Sequence, residues 1–287
     1  MSTEATSAAA TGAVAEPTRG RGPSMGSLIA AEFFKIRSTR LWWGLLLGAV
    51  LFTAFGAGFT AGFAGIEGGT GPGGEPLPAV DSPALLRSAY GSGFSGAYIF
   101  ALILGVTGMT GEYRYMTITP TFLGAPRRHP VVLAKLAAHL LAGLVYGLVC
   151  ALVAIAVAGV IIVFFKDGSL GLTAEGVPRA IGLSIVAVSL WTLLGIGLGT
   201  LIKNQIAAIL TGVLIAFLIE PLLGALFSSL DWEVGKFLPT SASTALVSGF
   251  SGGAAMLDWW AGGLVLLGYA VLFAALGVAL SVRRDIT

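Results

Sequence analysis

Long apolar runs separated by short polar breaks make up most of the chain. Six runs approach or exceed the roughly 20 apolar residues needed to cross hydrocarbon: about 41–64, 93–110, 131–165, 180–202, 206–227 and 259–282. The third holds 35 residues, a helix of roughly 50 Å against a bilayer core of about 30 Å. Part of it is therefore expected to stand outside the bilayer. The end carrying Lys135 and His139 is the part expected to protrude, with the span proper beginning near Leu140.

The flanks have their own patterns. Residues 1–27 are Ala, Thr, Ser, Gly and Pro with scattered charges, a composition that buries nothing and reads as a disordered cytoplasmic tail. No short apolar core follows a basic start there, so the tail does not read as a signal peptide. Over 28–40, Ile29, Phe33 and Ile36 share a narrow helical stripe, and Glu32 and Lys35 have the three-residue spacing of a helical ion pair. This segment reads either as an interfacial helix along the inner leaflet or as a basic anchor orienting the next span.

Between the spans, 65–89 is rich in Gly and Pro and reads as an external loop, whereas Lys203-Asn204-Gln205 reads as a tight turn. Glu220-Pro221 interrupts the fifth run, and the apolar stretch 221–230 is too short to cross alone. Residues 221–258 are expected to form a broken or re-entrant helical region at the outer surface, its backbone satisfied by protein neighbours; an amphipathic loop is the alternative. Glu220 would cap the helix beginning at Pro221 or line an exit path.

Composition agrees with the pattern. With 56% hydrophobic and 10% charged residues and a mean hydropathy of +0.91, the chain has too little polar surface for a soluble domain of this length. Its 42 glycines suit helices that approach closely in lipid. The single Cys150 excludes an internal disulfide framework. Charge placement sets the topology: ten basic residues (Lys35, Arg37, Arg40, Arg114, Arg127, Arg128, Lys135, Lys203, Arg283, Arg284) flank the spans on one side, against four (Arg87, Lys166, Arg179, Lys236) on the other. That asymmetry places both termini in the cytoplasm.

The densest polar island, 111–130, then falls on the cytoplasmic side. It starts with Glu112, carries Arg127 and Arg128 between Pro126 and Pro130, and is broken by Pro120. The runs Glu112-Tyr113-Arg114, Thr117-Ile118-Thr119-Pro120-Thr121-Phe122-Leu123 and Pro126-Arg127-Arg128 resemble the permease subunits of type-2 ATP-binding cassette (ABC-2) exporters, in particular their actinobacterial branch. Met116 stands where many members have Gly before the Thr. The resemblance covers about 28–284, with the residue-level match concentrated in 111–135.

The resemblance implies an all-α integral membrane fold of six transmembrane helices (41–284), of the type V exporter kind. An interfacial helix (28–40) precedes the spans, a broken outer helix lies between the fifth and sixth, and 285–287 form a short cytoplasmic tail. It also implies a coupling helix in the loop 111–130, seated in a groove of a cytoplasmic ATPase subunit. Glu112 and Arg114 would steady the base of the second span, and Thr117, Phe122, Leu123, Arg127 and Arg128 would belong to the ATPase-coupling element. ATP and Mg would be held by that partner, and a second permease subunit, identical or not, would complete the pathway. The bland reading of Arg127 and Arg128 is that they set topology and touch anionic lipid.

Other chemistry finds little footing. None of the five lysines is followed by Ser or Thr, as a phosphate-cradling loop requires, so the chain has no ATPase site of its own and is not expected to be an enzyme. One cysteine and two histidines lack metal-ligand spacing, and nothing points to nucleic acid. Gly93-Phe94-Ser95-Gly96 and Gly249-Phe250-Ser251-Gly252 spell an intramembrane serine-protease motif, but no histidine is expected within reach as base. His139 is expected to bond a neighbouring helix or a lipid headgroup. Glu220 is the sole acid inside a span, thin support for an ion-coupled carrier. The alternatives to the exporter reading are an ATP-independent secondary transporter and a non-transporting membrane scaffold.

Overall fold

The computed structural model describes residues 24–66, 69, 77–116, 128–248 and 256–284. Regular structure among them is entirely helical: α1 (Met25–Ser38), α2 (Leu41–Gly62), α3 (Pro83–Arg114), α4 (Arg128–Val160, extended by a π turn at Ile161–Phe165), α5 (Val177–Leu201), α6 (Gln205–Leu214), α7 (Glu220–Ser229), α8 (Pro239–Ser248) and α9 (Trp259–Arg284). Five helices are long and apolar enough to cross a membrane, namely Leu41–Gly62, Pro83–Arg114, Pro130–Phe165, Val177–Leu201 and Gln205–Ser229. Helix α9 adds a shorter apolar stretch, Trp259–Phe273, among the described residues.

Helix α1 starts earlier than the expected 28–40, because Ser24 caps it: its hydroxyl accepts the Ser27 N–H at 3.2 Å. The last residues of the expected tail 1–27 thus belong to a helix, while 1–23 and 285–287 lie outside the described residues. Helix α3 likewise begins at Pro83, well before the expected Gly93. Ser82 accepts the Leu85 N–H at 3.3 Å and Pro83 sits in the first turn, where its missing N–H does no harm. The expected loop 65–89 thus gives up its last residues to α3, and Gly93 and Gly96 are contact points within the helix. A Cβ on Gly93 would meet the Ala151 backbone at 3.1 Å, and Gly96 lies directly on Thr53.

The fifth run corrects an expectation. Pro221 does not end the helix: the backbone widens into a π turn at Ile215–Ile219, with the Glu220 N–H bonded to the Ile215 carbonyl, and continues to Ser229. A proline ring collides with the carbonyl four residues back, and the extra residue of a π turn makes room for it. The stretch after Pro221 is therefore the end of one 25-residue apolar helix. After it come a 3-10 turn, Glu233–Phe237, and the short α8. Helix α8 packs on α5 and α9, burying Ala242, Ala245 and Leu246, and its Ser243 hydroxyl accepts the Trp191 indole N–H at 2.7 Å.

The centre of the bundle is α3 against α5, two parallel helices joined through glycine. Gly195 rests on the Leu102 carbonyl and Gly105 on that of Thr192, while a Cβ at Gly199 would lie 2.8 Å from the Val106 carbonyl. Such contact is how apolar helices associate where lipid offers no hydrophobic drive. At one end of the bundle, α2 starts beside α1, α3 ends, and α4 and α6 start; at the other, Lys166 Nζ donates to the Ala64 carbonyl at 3.0 Å and Arg87 to that of Glu175 at 2.9 Å.

Candidate functional site

Four charges from three helices meet at the α1 end. On α1, Lys35 Nζ lies 2.6 Å from Glu32 Oε1, the helical pair legible in the sequence. The same ammonium lies 2.9 Å from Glu112 Oε1 on α3. On α4, Lys135 Nζ lies 2.6 Å from Glu32 Oε2 and 2.9 Å from Glu112 Oε1, and it donates to the Gly108 carbonyl at 3.3 Å. Two acids and two lysines thus alternate around a ring. Glu32, Glu112 and Lys135 are 4, 7 and 6% exposed, a degree of burial tolerable only because each charge has partners.

Electrostatics on α1 follow from that ring. Burial alone would raise the Glu32 carboxyl, but the ammonium groups of Lys135 and Lys35 overcome it and hold it below the ordinary carboxylate range. Burial would lower Lys35, yet its bonds to Glu32 and Glu112 hold it above the ordinary lysine value.

Of the residues expected to couple to a partner, Glu112 lies in this ring, and Arg114 stands one turn of α3 beyond Thr110 with its guanidinium donating to Gln205 Oε1 at 3.2 Å. That bond ties the end of α3 to the start of α6. Thr117, Phe122, Leu123 and Arg127 lie outside the described residues, and Arg128 opens α4. The ring could not be read ahead of the fold. Glu32 and Lys135 were visible as isolated charges beside apolar runs, a signal for burial, but nothing local says that they meet.

At the root of the third apolar run, Lys135 and His139 are both buried within the protein. His139 bonds its own helix, Nδ1 lying 2.9 Å from the Lys135 carbonyl. Because a carbonyl only accepts, Nδ1 carries the proton and Nε2 keeps its lone pair. Nε2 is buried, has no hydrogen-bond partner among the described residues, and faces the α-carbon of Gly108.

Beside the ring lies a cavity of about 490 Å³. Its lining includes the polar Lys35, Arg114, Ser38, Thr39 and Thr107 and the apolar Ile36, Leu41, Trp42 and Leu104.

Glu220 and Pro221 lie at the π turn. Glu220 is buried, and its Oε2 accepts the Thr240 N–H at 2.7 Å. It therefore caps a helix, but α8 instead of the helix at Pro221, because Glu220 is itself inside a continuous helix while the first turn of α8 has unpaired N–H groups. Ser95 is exposed on α3, and the His139 ring meets α3 at Gly108, roughly 20 Å further along the helix. The first serine motif thus has no base, and the second lies outside the described residues. No cluster of three His, Cys, Asp or Glu side chains suited to a metal occurs among the described residues.

The five long apolar helices define a multi-pass helical membrane protein. Within that class the chain belongs to the family described as "Protein of unknown function (DUF2705)", matched over residues 93–287. No curated protein matches it.

Proposed function

We propose that this chain is the permease subunit of an ABC-2 exporter in a bacterial cytoplasmic membrane, moving its substrate with ATP hydrolysed on a separate ATPase subunit. In this reading α9 is the sixth span, both termini are cytoplasmic, and a second permease subunit faces this one. The observation that carries it is the charge ring. Glu112, at the head of the 111–130 loop, is bonded to Lys35 of α1 and Lys135 of α4, so a push on that loop reaches three helices at once. Arg114 adds a fourth through Gln205. In this reading the push is taken by Thr117, Phe122, Leu123, Arg127 and Arg128, of which the first four lie outside the described residues.

The large bare apolar faces of α2 and of α6–α7, with Phe52, Phe55, Phe59, Leu210, Phe217 and Leu222 exposed, suit lipid on one side and a second subunit on the other. An ATP-independent carrier is the second reading, favoured by the buried Glu220; its bond to the first turn of α8 gives that acid a structural task and weakens the case.

The test is co-purification with the cognate ATPase subunit that this reading requires. Reversing both charges (R127E/R128E) should abolish capture while leaving the permease folded and in the membrane. Capture and transport at the level of the unaltered chain would refute the proposal.

A further inference from the structure

The cavity beside the charge ring has the features of a ligand site. Its charged lining is Lys35, Lys135 and Arg114 against Glu32 and Glu112, an excess of one positive charge. Lys135 and both carboxylates are consumed by the ring. Arg114 is not: among the described residues its partners are the neutral Gln205 side chain and the ring of Tyr115. Lys35 is in the ring but its side chain is 41% exposed; Ser38, Thr39 and Thr107 also line the cavity, with their hydroxyl protons given to backbone carbonyls.

Two further observations say what kind of anion fits. The lining also includes Ile36, Leu41, Trp42 and Leu104, so the occupant needs an apolar part next to its charge. The cavity also lies where α1 meets the ends of α2 and α3, bordered by the exposed Leu41 and Tyr115; aromatic rings beside cations at the end of a membrane helix mark headgroup depth. The far side of α1 is a second groove lined by Ile29, Phe33, Phe34 and Leu141 with Arg37 at its edge, so α1 has an apolar surface and a cation on both flanks. At about 490 Å³ the cavity falls within the roughly 300–1,000 Å³ of small-molecule sites, room for a headgroup and the first methylenes of its chains.

We propose that this cavity binds the phosphate headgroup of an anionic glycerophospholipid, held by Arg114 and Lys35 with its acyl chains leaving along Leu41, Trp42 and Leu104. A guanidinium pairs with phosphate in a planar, two-pronged contact. The lipid would fill the wedge between α1 and α3 and so hold the charge ring against the bundle. The inference stands on the cavity alone and does not rest on the exporter reading.

The experiment is thermal unfolding of the full chain in neutral detergent, titrated with dioctanoyl phosphatidylglycerol, dioctanoyl phosphatidylcholine or inorganic phosphate. Phosphatidylglycerol should raise the midpoint saturably, and the other two should not. Arg114→Gln should weaken the apparent affinity about ten-fold or more, the loss of one charge-assisted contact. Gly111→Leu is the second variant: Gly111 lines the cavity, and a Cβ there meets no atom within 4 Å, so the side chain fills the space without disturbing the fold and should abolish the shift. An equal shift with phosphatidylcholine, a matching shift with inorganic phosphate, or a phosphatidylglycerol shift that survives G111L would each overturn the assignment.

Discussion

Glu32 and Lys135 are separated by 103 residues of chain and by 2.6 Å in space. Both are buried, so neither can exchange its partner for water. Removing one leaves the other charged in a poor solvent, which typically costs about 3–5 kcal/mol. Lys135→Met should lower the unfolding free energy by that order, whereas the double variant E32Q/K135M should lose clearly less than the sum of the singles. Chemical or thermal unfolding in detergent measures both; a K135M effect no larger than that of an exposed lysine would remove the ring from any structural account.

The pH dependence has a definite sign. Glu32 is held below its ordinary value by Lys135 and Lys35 against burial, so its contribution is complete above the ordinary glutamate value of about 4.3 and is lost as pH falls through the depressed one. Lys35 is held above its ordinary value, so its contribution is complete below about 10.4 and is lost as pH rises through the raised one. The stability difference between the unaltered chain and Glu32→Gln should therefore be constant at neutral pH and shrink in acid. A difference that grew on acidification would contradict the ring geometry.

Two neighbouring glycines should behave oppositely. At Gly108 an added Cβ would fall on His139 Nε2, while at Gly111 it meets nothing within 4 Å. Gly108→Ala should destabilise by about 1–3 kcal/mol through overpacking, and Gly111→Ala should stabilise by up to about 1 kcal/mol through helix propensity. Adding His139→Ala to G108A should recover part of the loss. Unfolding midpoints of the three variants decide it.

Glu220 predicts a local effect. Its carboxylate satisfies the Thr240 N–H in the first turn of α8, and loss of such a cap costs about 0.5–2 kcal/mol. Glu220→Ala should speed amide exchange over 240–243, while Glu220→Gln, which keeps an acceptor oxygen, should leave it near the original rate. Equal exchange in all three would mean that the carboxylate does not hold α8.

Helices and their approximate extents were legible because hydropathy is a local property, as was the Glu32–Lys35 pair, set by helical spacing alone. The start of α3 was hidden because 65–89 is rich in Gly and Pro and reads as a loop, whereas Ser82 and Pro83 open the helix there; only the partner surfaces, Ala151 and Thr53, show why Gly93 and Gly96 are needed further along. Pro221 misled in the other direction: proline predicts a break, but the backbone absorbed it in one widened turn. The meeting of Glu112 with Lys35, 77 residues away, depends on how α1 lies across α3 and α4. No short-range pattern encodes that register.

The glycine seam between α3 and α5 limits how this protein can move. With carbonyls seated on α-carbons along the contact, neither helix can rotate or slide past the other without a steric clash, so the pair behaves as one rigid beam. Flexing has to occur where the packing is loose. Of an 18-residue apolar stretch of Gln205–Ser229 only 22% is buried, against 72% for that of α3, and this helix contains the widened turn. The bundle can therefore bend at that turn, directly under the acid that pins α8.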